Sequence, residues 1–383
     1  MIQEMKKILF NLIVMALGTT LLTGCLSDDK NDQPAEYVVT NGALIVNNGS
    51  SSNSIDGSLT FLDYESGSAR QNVFKNANGE SLGGTPNSVM CYGNKVYVAG
   101  SDENAVFVLD KKTFKLIERI STTDEMGEAE GVMPRSLTAY DNNVYVSTYG
   151  GYVGVIDTLD LSVRNMYKVG SYPEGMAIGT KDNLVYLYVA NSDYGNGNGS
   201  ISVVNLSSGS VSEIKGVRNP QELAVAGDNI FVLDWGYYDE SESWVQKEAG
   251  VYLINGSNVQ KIIPDATGMA AAGYNIVTFN APYDSSKKVS YSIFNVAYGS
   301  LSTFTLSGDG ANRIESPAAI SIDPNTGYVL IASRKMNPDT GYPDYSAPGF
   351  INMYTGNGEY VKTFDTGVEP HQITFLYGTV KVK

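Results

Sequence analysis

The chain has 383 residues, 41 of them acidic and 26 basic, and its formal charge of −15 at pH 7 repels the phosphates of nucleic acids and of anionic lipid headgroups. Nucleic-acid binding is therefore not expected. The single histidine, His371, excludes multi-histidine copper or iron centres, so no metal or other resident cofactor is expected.

In chain order, Lys6 and Lys7 precede an apolar run over residues 8–22, too short and too close to the N-terminus to read as a spanning helix. Residues 1–24 read as a signal peptide. Its end, Leu22-Thr23-Gly24-Cys25, resembles the bacterial lipobox, which makes Cys25 the expected lipidation site and the first residue of the mature protein. Ser27-Asp28-Asp29-Lys30 looks like the short acidic signal that sends lipoproteins to the outer face of the outer membrane. Residues 25–36 read as a lipidated tether of low complexity, with folding expected from Tyr37 onward. With Cys25 acylated, Cys91 is the only thiol left and no internal disulfide forms. Its setting, SVMCYG, is that of a small buried hydrophobe.

From residue 43 the chain repeats. One family of segments reads ALIVNN (from Ala43), KVYVAG (Lys95), NVYVST (Asn143), YLYVAN (Tyr186), NIFVLD (Asn229), NIVTFN (Asn275) and YVLIAS (Tyr328). A second reads SLTFLD (Ser58), AVFVLD (Ala105), YVGVID (Tyr152), SISVVN (Ser200), GVYLIN (Gly250), SYSIFN (Ser290) and GFINMY (Gly349). β-Branched and aromatic residues alternate with polar ones in both, as in strands. A third set begins at Pro86, Pro134, Pro173, Pro220, Thr267, Pro317 and Pro370 and is rich in Ala, Ser, Thr and Gly, as suits strands crowded round an axis. Four short strands per repeat, seven times over, predict an all-β seven-bladed β-propeller over residues 37–383. The last inner strand, from Pro370, is expected to complete blade one and close the ring.

Calling the strands of a blade A to D from the axis outward, one face of the ring carries the B–C and D–A loops and the other carries tight turns such as YGNK and YDNN. The turn face reads as bare. The B–C loops at 48–57, 191–199, 234–249, 280–289 and 333–348 are long, and loops of that length usually carry function. Loop 234–249, DWGYYDESESWVQKEA, brings Trp235, Tyr237, Tyr238 and Trp244; Tyr149, Tyr152, Tyr194, Tyr283, Tyr342 and Tyr345 decorate the same face, and Arg334 and Lys335 accompany them. Such rings suit a large, partly apolar ligand, or else they pack their own loops onto the rim. Asn87, Arg135, Glu174, Gln221 and His371, just after the prolines, stand at the mouth of the axis, either to read a ligand's polar edge or to cap the strands. Tyr97, Tyr145, Tyr186, Tyr252 and Tyr291 lie inside strands and read as sheet packing.

No catalytic constellation emerges, and an enzyme is not expected. One imidazole is a poor basis for acid–base work, and no spacing singles out a carboxylate pair for glycoside hydrolysis. Glu174 and Glu222 near the axis, and DYGNGNG from Asp193, are weak candidates for calcium, since Asp, Asn and Gly runs are usually plain turns.

The pattern P-x-S followed by V-Y-V-A/S and V-x-V-I/L-D, at Pro86 to Asp110 and Pro134 to Asp157, is similar to that of the YncE-like seven-bladed propellers. With the lipobox and acidic signal, the whole mature chain resembles the BtuG-like cobamide-binding surface lipoproteins of Bacteroidetes. The resemblance implies a protein lipid-anchored in the outer membrane and facing the exterior, which captures a cobamide (vitamin B12) as transported ligand and passes it to a BtuB-like TonB-dependent transporter. A corrinoid is a broad macrocycle with apolar faces, amide edges and a phosphate. On that implication Arg135, Arg334 and Lys335 would meet the phosphate or amides, and Trp235, Tyr237, Tyr238 and Trp244 would cover the ring. A surface glycan-binding lipoprotein is the alternative, because sugars also stack on Trp and Tyr. A carboxylate- or calcium-dependent hydrolase or lactonase is the third.

Overall fold

Each repeated segment forms the strand expected of it, and the strands assemble into seven four-stranded sheets with antiparallel pairing between consecutive strands. The computed structural model describes residues 35–242, 244–282 and 288–382, so the expected signal peptide, Cys25, most of the expected tether and Tyr283 lie outside it. The chain divides into a main unit, Val38–Thr379, and a small one whose described residues are 35–37 and 380–382; in the latter Lys381 Nζ lies 2.9 Å from Glu36 Oε1.

Blade 1 is built from both ends of the chain: strand Pro370–Val382 pairs with Ala35–Asn47, followed outward by Ser58–Asp63 and Ser68–Arg70. The inner strands of blades 2 to 7 are Pro86–Tyr92, Pro134–Tyr140, Pro173–Lys181, Pro220–Ala226, Gly268–Ala272 and Pro317–Ile322. Among the described residues the ring is thus a seven-bladed β-propeller closed by its C-terminal strand.

The core lies between blades. Leu44 and Val46 of blade 1 pack with Val96 and Val98 of blade 2, while Tyr97 and Ala99 turn the other way, onto Val144 and Val146 of blade 3. Equivalent clusters join blades 3 to 4, 4 to 5, 5 to 6 and 6 to 7, and Ala332 and Ile351 of blade 7 meet Ala43 and Ile45 of blade 1. Period-two alternation here does not separate inside from outside. A middle strand such as Lys95–Gly100 is covered on both faces, so alternate residues serve the two neighbouring blades. Outer strands such as Leu116–Ser121 are mostly exposed. Cys91 is partly buried against the cluster between blades 1 and 2, and burial pushes its thiol pKa up, which disfavours the nucleophilic thiolate.

The turn face is made of reversals that the sequence specifies locally. Asp141–Asn142 and Asp182–Asn183 each place two successive residues at positive φ, between 46° and 61°, the geometry of tight hairpin turns that Asn and Asp tolerate.

Candidate functional site

The long loops on the opposite face start from fixed points. In blades 2, 3, 4, 5 and 7 the first residue beyond the second strand donates its backbone N–H to the carbonyl just before the inner-strand proline: Ser101 to Thr85, Tyr149 to Met133, Ser192 to Tyr172, Trp235 to Asn219 and Arg334 to Ser316, at 3.0–3.3 Å. Blade 1 does the same across the closure, with Asn48 bonded to the Glu369 carbonyl at 2.8 Å. Blade 6 has Thr267 where the others have proline. Its hydroxyl accepts the Ala281 N–H at 2.9 Å, and its own N–H, which a proline lacks, donates to Phe279 O at 2.8 Å. Tyr149, Trp235 and Arg334 therefore occupy equivalent, anchored positions around the ring.

Just inside the prolines the pairing slips. Register shifts follow Pro86, Pro134, Pro173, Pro220 and Pro317, and such bulges re-aim the side chains within them. The ring of positions after the proline reads His371, Asn87, Arg135, Glu174 and Gln221 through blades 1 to 5, then Gly268 and Ala318 in blades 6 and 7; all line one cavity. A Cβ on Gly268 would lie 2.2 Å from Phe279 Cζ, so only glycine fits. The mouth is polar over five blades and open over two.

Two similar charged groups frame it. Arg135 Nε reaches Glu174 Oε2 at 2.9 Å, its guanidinium lies 4.7 Å from the Tyr149 ring centre, and the Tyr149 hydroxyl donates to the other Glu174 oxygen. Arg334 grips Glu369 with Nε at 2.8 and 2.7 Å from the two carboxylate oxygens and with Nη2, and sits 5.5 Å from the Tyr345 ring centre. Burial and the Glu174 carboxylate both push the Tyr149 pKa up; burial works against the Arg334 charge, but Glu369 outweighs it. His371 is half-buried, and burial with the nearby Arg135 and Arg334 lowers its pKa to about 4, which keeps the imidazole neutral. Glu222 is exposed on the cavity wall, where the surrounding protein still desolvates its carboxyl and raises its pKa to about 7.

Aromatic faces wall the space above. Tyr149, Tyr172 and Tyr194 form a cluster with ring centres 5.0–6.3 Å apart, and Tyr194 is 68% exposed. Trp235 is fixed by Nε1 donating to Thr267 O at 3.0 Å. Loop 234–249 folds into a hairpin, Tyr237–Asp239 against Val245–Lys247, which places Tyr238 opposite Gln246 and carries Trp244 at its tip. Lys247 bridges Asp239 and Glu242 at 2.7 Å each, and this contact lowers the Asp239 pKa to about 2. Trp235, Tyr238, Trp244, Tyr342 and Tyr345 all line the cavity, which encloses about 2450 Å³. Pockets for drug-sized ligands hold roughly 300–1,000 Å³. The space suits something larger.

Of the residues singled out in the sequence, the cavity gathers Asn87, Arg135, Tyr149, Tyr194, Gln221, Trp235, Tyr238, Trp244, Arg334, Tyr345 and His371. Asn87 is only 5% exposed, with its amide bonded to Thr85 O and Ser101 Oγ, so it holds the strand end. Tyr152 packs into the cluster between blades 2 and 3, and Tyr237 faces away from the cavity against Arg218. Neither lines the cavity, because side chains alternate along each strand. Lys335 is exposed outside it. Tyr291 packs between blades 6 and 7 as its strand position implies, yet also lines the cavity. The sequence reading missed Tyr172, Glu369 and Arg313. Only the position before the proline, in SYPEG and VEPHQ, hinted at the first two. Among the described residues no group of three or more His, Cys, Asp or Glu side chains is placed to hold a metal ion.

Residues 41–130 match a family described as a domain of unknown function (DUF5074). No curated protein matches the chain. Among solved structures it is similar to the hydrazine synthase of Kuenenia stuttgartiensis, at 14% identity over 78% of this chain and 95% of that one, with a TM-score of 0.58. It is also similar to the WD40 repeats of RRP9, at 10% identity over 74% of this chain and 81% of that one, with a TM-score of 0.51. These likenesses are of fold, a β-propeller.

Proposed function

We propose that this chain is a capture protein and not an enzyme: a lipoprotein anchored through Cys25 on the outer face of the outer membrane. It would bind a cobamide in the cavity and hand it to a BtuB-like TonB-dependent transporter. The observation that carries this reading is a 2450 Å³ bowl walled by Trp and Tyr faces, whose mouth arginines are already neutralised by Glu174 and Glu369. Such a bowl favours a large ligand with flat apolar faces and a mostly uncharged, hydrogen-bonding edge, which describes a corrinoid with its amides. Anchoring at the base of the loops supports tight binding, because less backbone freedom is left to lose there.

The test is isothermal titration of the chain lacking residues 1–24 with cyanocobalamin. One-to-one binding at micromolar affinity or tighter is the expected outcome. A folded protein that gives no heat, and is instead retarded by polysaccharide in native gels, replaces the corrinoid with a glycan.

A further inference from the structure

A corrinoid that carries a nucleotide loop has one phosphodiester, and the two arginines at the mouth are poorly placed to meet it. Arg135 and Arg334 each hold a carboxylate within 3 Å, with which a ligand anion would have to compete. The open side of the ring differs. Between blades 6 and 7 the cavity reaches outward past Gly268 and Ala318 to Tyr291, Asp309 and Arg313. Arg313 is exposed there and, among the described residues, has no carboxylate within salt-bridge distance. Its charge is felt at Tyr291, whose hydroxyl oxygen is buried with no hydrogen-bond partner. The Tyr64 and Tyr97 hydroxyls are in the same state inside their interblade clusters, so packing closes the Tyr291 oxygen off and leaves Arg313 as the group that faces the cavity. Asp309 lies close, but its carboxylate accepts the Tyr354 O–H at 3.1 Å; Glu315 and Lys288 line the same wall. The wall is thus balanced in charge while its arginine lacks an ion-pair partner.

We propose that this outer end of the cavity is an oxyanion subsite that takes the ligand's phosphodiester, with Arg313 supplying the charge. The inference rests on the corrinoid reading above and assigns one wall of that site. Charge-assisted hydrogen bonds of this kind are the strong ones, so losing one is measurable. The experiment compares cyanocobalamin with dicyanocobinamide, the same macrocycle without phosphodiester or lower base, on the wild type and Arg313→Gln. Arg313→Gln is expected to weaken cyanocobalamin about tenfold, with cobinamide changed less than twofold. Equal losses for both ligands, or none for cyanocobalamin, overturn the subsite while leaving the capture reading in place. A wild type that binds neither ligand overturns both.

Discussion

Glu174 ties together three residues that the sequence shows only as separate polar or aromatic positions. It pairs with Arg135, accepts the Tyr149 hydroxyl and, through its carbonyl, accepts Ser147 Oγ at 2.8 Å. The Arg135 and Glu174 side chains are 19% and 10% exposed, so removing one charge strands the other in a poorly solvated place. Glu174→Ala is expected to lower stability by about 3 kcal/mol in urea unfolding and Glu174→Gln by less than half of that; an Ala variant as stable as the wild type would show the pair to be idle. His371 and Glu222 make an opposed pair. With its folded pKa lowered to about 4, His371 takes up a proton on unfolding between there and its usual 6.5, so its contribution rises with pH across that window. Glu222, raised to about 7, is protonated in the fold where the unfolded chain has already ionised, so its contribution falls as pH rises from about 4.5 to 7. The two slopes oppose each other, and that of Glu222 is the shallower because its side chain is the more exposed. Glu222→Gln is expected to expose a stability that climbs from pH 4.5 to 6.5, and His371→Gln one that declines; parallel profiles for both variants would contradict the assigned shifts. Residue types at the mouth were legible in the sequence because they follow the prolines. Their partners were not, since Glu174 and Glu369 meet their arginines across 39 and 35 residues of chain.

Strands, turns and loops were the most legible scale, because β-branched runs, prolines and Asn-Gly or Asp-Asn reversals act through local sterics. What stayed hidden was the slip after each proline. A bulge changes which side chain faces the axis without altering composition, and it aims Arg135, Glu174 and Gln221 into the cavity. The same blindness put Tyr152 and Tyr237 among the expected ligand residues, since period-two alternation does not say which face a loop residue joins. The loop anchors give this scale its test. In blade 6 the anchor is one hydroxyl, Thr267 Oγ1, on the Ala281 N–H. Thr267→Val keeps the shape and loses the acceptor, and is expected to cost about 1 kcal/mol in chemical denaturation. No measurable cost would mean that the loop is held by its other contacts.

At the scale of the molecule, stability rests on neighbour-to-neighbour clusters that run once around the ring, and blade 1 exists only because strand Pro370–Val382 returns to Ala35–Asn47. Deleting residues 370–383 removes Ile373, Phe375 and Leu376 from two interblade clusters and leaves a sheet edge open. That truncation is expected to lose cooperative thermal unfolding; a melt like that of the intact chain would refute closure. The ring was legible as a count of repeats, seven of each segment. Its lopsided opening was not, because it depends on two small residues, Gly268 and Ala318, standing where the other blades carry larger polar ones. Six blades begin the loop after their second strand with the same backbone bond, and blade 6 uses the Thr267 hydroxyl instead. Because each of these loops leaves the scaffold from a clamped point, its interior can lengthen, shorten or change chemistry without retuning the sheets beneath. A propeller of this build is a chassis with interchangeable fittings, in which new cargo is acquired by exchanging a loop and the wheel itself stays as it is.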